Sequence, residues 1–298
     1  MITSLGNNRI KHLVALREKS RNRNKEGLFI AEGIKMFREA PIGQIKEVYC
    51  SRNFCSLLEQ TDGEEGTAHE EEKEGKGRKE QIFRKLKDCG KNGVPVETVS
   101  DEVFKKITDT CTPQGILFLM EQFSYSLEAL IGQAAALAKG GGRKPLFLIL
   151  EDIQDPGNLG TMLRTAEGAG ASGVILSRGC VDIYNPKTIR STMGSLYRMP
   201  FVYQDDLRKA VDMIRAGGVT VYAAHLEGKQ YFDRIQYQGG SAFLIGNEGN
   251  GLKKETADLA DLYLKIPMAG SLESLNAAVA AALLLYQAAG QDRKDEEK

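Results

Sequence analysis

A two-domain α/β fold with a mostly parallel sheet in its second half is predicted, and three observations carry the prediction. The chain has 298 residues, more than one ordinary domain needs. From residue 146 onward, uninterrupted apolar runs such as "LFLIL", "GVILS" and "SAFLI" alternate with amphipathic segments, as a parallel sheet covered by helices on both faces requires. Gly140, Gly141 and Gly142, followed by Pro145, break the pattern between an earlier α/β alternation and this one.

In the first domain, expected over 1–121, Ile10, Leu13, Val14 and Arg17 recur at helical spacing, and "GLFIAEG" reads as a strand ending at a turn. "IKMFREA" predicts a helix and "IKEVYC" a strand. Residues 61–74 carry seven acids against Lys73 alone, a net of −6, with almost no large apolar residue. Such a stretch cannot bury enough surface to offset its ordering entropy, so a disordered acidic insert is predicted over about 61–79. "QIFRKLKDCGKNG" then reads as a helix closed by Gly90 or Gly93. "VPVETV" predicts a strand, "DEVFKKI" a helix and "GILFLME" a strand. Residues 122–144, holding a possible helix and the three glycines, are expected to be a linker.

The second domain is expected over 145–290, with a charged tail at 291–298. Strands are predicted at "LFLILEDI", "GVILS", "VTVYAAHL", "SAFLIGNEG" and "LYLKIP". Helices are predicted at "NLGTMLRTAEGAG", "NPKTIRSTMGSL", "DDLRKAVDMIRAGG", "KKETADLA" and the apolar run 275–289. That last run falls short of the roughly 20 residues needed to cross a bilayer, so it reads as a buried helix and no membrane partner is expected.

Composition narrows the function classes. The first residues lack the apolar stretch of a secretory signal, and the five cysteines form no CxxC pair. A reduced, cytoplasmic protein with structural thiols is expected. The 40 basic and 40 acidic residues cancel, but setting the −6 insert aside leaves +6 on the rest of the chain. Arg9, Lys11, Arg17, Lys19, Arg21, Arg23 and Lys25 concentrate seven cations in 17 residues. From charge alone this is equally a phosphate-contacting surface or a solvated helix and loop.

Three polar segments fall at carboxyl ends of predicted strands, where ligands of such sheets bind. In "EDIQDPGN", Asp155 or Asn158 suits the start of a helix whose buried stripe is Leu159, Met162, Leu163, Ala166 and Ala169. Arg164 falls off that stripe. It has a surface ion pair with Glu167 open to it, or a functional role on a face that Gly160 and Gly168 leave nearly bare, as if something needs close approach there. In "GNEGNGL", Gly246, Gly249 and Gly251 could cradle a phosphate, although the Walker and GxGxxG patterns are absent, and Glu248 could favour the positive end of the next helix. In "PMAGSLESLN", Ser271 or Ser274 can cap the last helix, which leaves Asn276 explained only in part.

Together the three segments resemble the SpoU family of RNA 2′-O-ribose methyltransferases, within the SPOUT superfamily. Asn158, Gly160, Arg164, Thr165 and Ala166 match its first motif; Gly246, Glu248 and Gly251 its second; Ile266, Pro267, Met268, Ser274, Leu275 and Asn276 its third. The first domain resembles the ribosomal-protein-like substrate-binding domain of the ribosomal-RNA branch. The resemblance implies S-adenosylmethionine bound largely by backbone groups at Gly246, Ile266 and Leu275 with Met268 nearby, in a deep C-terminal trefoil knot. It implies a homodimer whose site is completed by the other chain, no metal, and catalysis by Arg164 supported by Asn158, Glu248, Ser274 and Asn276. Whether Arg164 acts as base or as electrostatic clamp stays open, since arginine is normally protonated. The RNA grip would come from Arg9, Lys11, Arg17, Arg21, Arg23 and Lys25. Ribosomal RNA is favoured over transfer RNA; a non-catalytic RNA-binding protein and a nucleotide-using enzyme are the alternatives.

Overall fold

The computed structural model describes residues 1–59 and 70–296. Its contacts divide into two units, Met1–Phe123 with Tyr184–Tyr197, and Ser124–Ile183 with Arg198–Lys298.

The first unit runs α1 (Asn8–Glu18), α2 (Ser20–Glu26), β1 (Leu28–Glu32), α3 (Ile34–Glu39), β2 (Ile45–Ser51), α4 (Arg52–Glu59), α5 (Glu70–Lys91), β3 (Val96–Val99), α6 (Asp101–Ile107) and β4 (Ile116–Glu121). The sheet order is β1-β4-β2-β3, with β4 antiparallel to both neighbours and β2 parallel to β3. Ile10, Leu13 and Leu16 of α1 bury against Tyr49, Phe104, Leu117 and Leu119, so Ile10 and Leu13 of the spacing read from sequence lie on the packing face, Val14 is partly buried beside it, and Leu16, which that reading left out, completes it. One expectation is corrected. Residues 61–69 of the acidic insert lie outside the described residues, but the backbone of 70–79 belongs to α5; Glu and Lys are strong helix formers. Helix α4 was not foreseen.

The second unit comprises α7 (Leu127–Lys139), β5 (Leu146–Leu150), α8 (Pro156–Ala169), β6 (Gly173–Ser177), β7 (Phe201–Gln204), α10 (Leu207–Ala216), β8 (Val219–Ala224), β9 (Gln230–Tyr231), β10 (Gly240–Ile245), α11 (Lys254–Ala257), β11 (Leu262–Lys265) and α12 (Ala277–Glu296). Helix α9 (Pro186–Thr192) groups with the first unit. There the Tyr184 ring lies 4.6 Å from that of Phe29, and Arg190 pairs with Asp109 at 2.7 Å. By contacts, Tyr184–Tyr197 thus groups apart from the rest of the second unit.

All seven strands are parallel, in the order β7-β6-β5-β10-β8-β11-β9. Helices α7 and α10 cover one face, where Leu127, Leu130, Val211 and Ile214 meet Phe147, Ile149, Val221 and Leu244. Helices α8 and α12 pack on the other. The segment expected as a linker thus supplies a core helix, because Leu127, Leu130 and Ala134 form an apolar stripe at i, i+3, i+7. The tail is likewise helical, as α12 continues to Glu296. Among the described residues no helix is long and apolar enough to cross a membrane.

From β5 the chain builds outward to β6 and β7, then returns to the opposite side with β8 and β10. The direction of winding therefore reverses between β5 and β10, the position at which open parallel sheets leave a crevice.

Candidate active site at the carboxyl ends of the strands

The loops after β5 and β10 meet at that reversal. The Glu151 amide donates to the Ile245 carbonyl at 2.9 Å. Asp155 caps α8 by accepting from the Asn158 amide at 2.8 Å, with Pro156 at the first helical position. Glu248, 93 residues away in sequence, reaches the same helix start: its carboxylate accepts from the amides of Gln154 and Asp155 and from Asn158 Nδ2, each at 3.0 Å. It therefore serves the positive end of α8, not that of the following helix. Burial alone would raise its pKa, but the Gln154 and Asp155 amides and the Asn158 side chain together hold it below the ordinary carboxylate value.

Asn158 passes the connection on. Its Oδ1 accepts from Asn276 Nδ2 at 3.0 Å. Asn276 Oδ1 in turn accepts from the Ala278 and Val279 amides, at 2.9 and 3.3 Å, and caps α12. Helix α12 begins at Ala277, so the cap is Asn276 and neither Ser271 nor Ser274. One relay, Glu248–Asn158–Asn276, joins three segments that are far apart in sequence. Ser274 is exposed and has no hydrogen bond among the described residues.

The glycine loop is built by its own side chain. Asn247 Oδ1 accepts from the Gly249 and Asn250 amides, and Asn247 and Gly251 exchange backbone hydrogen bonds at 3.0 and 2.9 Å. Those amides are spent on the loop itself, which removes the phosphate-cradle reading. A Cβ on Gly246 would sit 2.1 Å from the Gly251 carbonyl carbon, so only glycine admits this turn.

Asp152, Asn247 and Glu151 escaped the sequence reading. Asp152 holds φ +52°, and its carbonyl accepts from Asn247 Nδ2 at 2.8 Å. Its carboxylate pairs with Lys253 Nζ and accepts from Ser177 Oγ, both at 2.7 Å, and these two partners hold its pKa below the ordinary value. Both ends of the 247–253 loop are thereby tied to one residue. Buried Glu151 accepts from the Lys253 amide at 2.8 Å and from Thr256 Oγ1.

Arg164 is exposed and has no hydrogen bond or ion pair among the described residues. Glu167, the partner available to it at i+3, is bound by Arg198 instead. The bare face is also revised. Gly160 is buried, and the space at Gly168 belongs to Tyr286 of α12, whose Oη would lie 2.7 Å from an added Cβ. Thr161, Arg164 and Gly168 form an exposed stripe beside it. Six helical positions separate Arg164 from Asn158, about 9 Å along the axis and about 120° around it.

Gly246 is buried, Ile266, Met268 and Leu275 are half-buried, and the backbone groups of all four have no hydrogen-bond partner among the described residues. The basic segment divides. Arg23 is 3% exposed and donates to the Leu16 and Arg17 carbonyls, closing α1, so it is structural and no RNA contact. Arg17 donates to the Lys106 and Thr108 carbonyls, and Arg9 pairs with Glu97 at 2.6 Å. Lys11, Arg21 and Lys25 are exposed.

Known proteins resemble this chain in both sequence and fold. The SpoU rRNA Methylase family matches residues 145–286, and the MRM3-like substrate binding domain matches residues 7–117. The chain is 37% identical over 198 residues to the 23S rRNA (guanosine(2553)-2′-O)-methyltransferase RlmP of Bacillus subtilis, covering 66% of this chain and 74% of that protein. An AdoMet-bound rRNA methyltransferase from Sinorhizobium meliloti superposes with a TM-score of 0.75 at 30% identity, over 96% of both chains. The SpoU methyltransferase AviRb of Streptomyces viridochromogenes, 22% identical, shares the fold with a TM-score of 0.73 over 97% of this chain and 99% of that one. The parallel sheet, the substrate-binding unit ahead of it and these relatives place the chain in the SpoU rRNA methylase family of RNA methyltransferases.

Proposed function

We propose that this protein methylates a ribose 2′-OH of 23S ribosomal RNA with S-adenosylmethionine, acting as a cytoplasmic homodimer. The observation that carries the reading is the Glu248–Asn158–Asn276 relay, which fixes the starts of α8 and α12 against the loop after β10. The backbone groups at Gly246, Ile266, Met268 and Leu275, without a hydrogen-bond partner among the described residues, fit a cofactor held by its polar edges, as an AdoMet-bound relative supports. When bound, this sulfonium cofactor supplies an activated methyl group, so the protein's task is binding and orientation. A C-terminal trefoil knot, formed by residues 246–252 and 266–276, belongs to the same proposal.

Arg164 is the catalytic side chain, with Asn158, Glu248 and Asn276 as positioning residues and Ser274 as a ribose contact made on RNA binding. A protonated guanidinium stabilises negative charge developing on the 2′ oxygen and grips the neighbouring phosphate. Its angular separation from Asn158 favours work in a second copy's site. Beside its stripe, α12 exposes Val279, Leu283 and Tyr286 at i, i+4, i+7, an apolar strip suited to a copy of the same surface. Lys11, Arg21 and Lys25 supply phosphate contacts on the first domain, with Arg9 at their edge.

Transfer of labelled methyl from the cofactor to bulk RNA tests this. The expected product is ribosomal RNA whose labelled position resists alkaline cleavage. Label confined to transfer RNA, label on a base, or cofactor and RNA binding without transfer would each overturn the assignment.

A further inference from the structure

The first domain holds a cavity of about 240 Å³ that the methyl-transfer site does not use. It lies where β2, β3 and the approach to β4 end, lined by Ser51, Asn53, Phe54, Asp101, Lys105 and Gln114 among others. By liquid volume it holds the equivalent of about eight waters, enough for one nucleobase. Its floor is tight: Gly115 has φ +86°, and a Cβ there would lie 2.6 Å from Phe54 Cβ. Leu57 at the rim is 52% exposed.

Two of the polar groups on this cavity, Asp101 and Gln114, are half-used. Asp101 Oδ1 accepts from the Asn53 amide at 3.1 Å, and Oδ2 has no partner among the described residues. Gln114 Oε1 accepts from the Ile34 amide at 2.7 Å, which fixes the side chain and leaves Nε2 to donate. Lys105 is exposed and has no ion-pair partner among the described residues. An apolar slot with a carboxylate acceptor, an oriented amide donor and a cation at the mouth matches an unstacked nucleotide. The carboxylate selects among bases: two parallel N–H donors next to a carbonyl occur together on the Watson–Crick edge of guanine.

We infer that this cavity binds one splayed guanine of the RNA substrate, with Asp101 accepting from its ring and amino N–H groups, Gln114 donating to its carbonyl, and Lys105 meeting its phosphate. The inference rests on the proposed RNA substrate and assigns the first domain a sequence-reading role beyond backbone grip. The test is fluorescence anisotropy of the full chain with uridine-rich 12-mers that differ only in one central G, A, C or U. The central-G oligomer should bind about tenfold more tightly than the others. Asp101→Asn keeps the oxygen that holds Asn53 and should erase that preference with an unchanged melting temperature; Lys105→Gln should weaken all four oligomers alike. Equal binding of the four by the wild type, or an Asp101→Asn protein that still prefers G, overturns the inference. The two readings separate cleanly. Methylation of ribosomal RNA without a guanine preference sinks the cavity alone, and a guanine preference without methyl transfer sinks the proposed reaction alone.

Discussion

Replacing Glu248 with glutamine tests the relay at its charged end. Glu248 Oε1 accepts from the Asp155 amide and Asn158 Nδ2, and Oε2 from the Gln154 amide. In its best orientation the glutamine keeps Oε1 and turns an NH2 toward the Gln154 amide. One charge-assisted hydrogen bond is lost, and the other two become neutral ones. Bonds to a charged group contribute about 1.5–3 kcal/mol each and neutral ones about 0.5–1.5 kcal/mol. Because Glu248 is exposed to competing water, the net loss is set near the low end, about 2 kcal/mol. For a domain of this size that lowers Tm by about 4–8 °C. Asn158 would lose its stop, and displacement of this order costs up to about 100-fold in turnover. The pH dependence follows from the lowered pKa of Glu248. A depressed carboxylate contributes stability that is complete above its unfolded value, near 4.5, and is lost as pH falls through the folded value. The Tm gap between wild type and Glu248→Gln should therefore be full at pH 7 and shrink below about pH 4.5. Equal melting and turnover, or a gap unchanged across that range, would refute the reasoning.

Three further outcomes are expected. Gly246→Ala should abolish S-adenosylhomocysteine binding by calorimetry, because its Cβ meets rigid backbone at 2.1 Å, whereas Gly168→Ala meets only the tip of Tyr286 and should bind normally. Arg23→Met should lower stability by about 2–4 kcal/mol in chemical denaturation, since it strands two carbonyls in a buried place; Arg21→Met should leave stability unchanged and reduce the salt slope of RNA binding by about one. Leu283→Glu should convert dimers to monomers in analytical ultracentrifugation, and a dimer that survives it would move the interface away from α12.

The parallel sheet was legible because strands buried on both faces leave continuous apolar runs, and β5, β6, β8, β10 and β11 all stand where "LFLIL", "GVILS", "VTVYAA", "SAFLI" and "LYLK" predict them. Strands at the sheet edges were not. In β7 only Phe201 is buried, and β9 is two exposed residues, so neither carries a periodic signal. The three site segments could be located from glycines, prolines and motif spacing, but their wiring could not. Glu248 and Asn276 act on residues 90 and 118 positions away, a connection that local pattern does not encode. Arg23 was counted as a surface cation for the same reason: its burial depends on how α2 folds back on α1. Asp152 left no trace beyond being a turn residue, although its positive φ and its bonds to Ser177, Asn247 and Lys253 place it at the junction of three loops.

The central claim is that Arg164, which has no hydrogen bond or ion pair among the described residues, enables transfer to a ribose oxygen. Mapping 2′-O-methylation across 23S ribosomal RNA, after reaction with wild-type and with Arg164→Ala protein, tests it most directly. The account predicts a discrete 2′-O-methyl site with the wild type, and loss of that modification by at least about 100-fold with Arg164→Ala while S-adenosylhomocysteine affinity is unchanged. A fully modified site in the Arg164→Ala reaction, or no 2′-O-methyl site with the wild type, would contradict it.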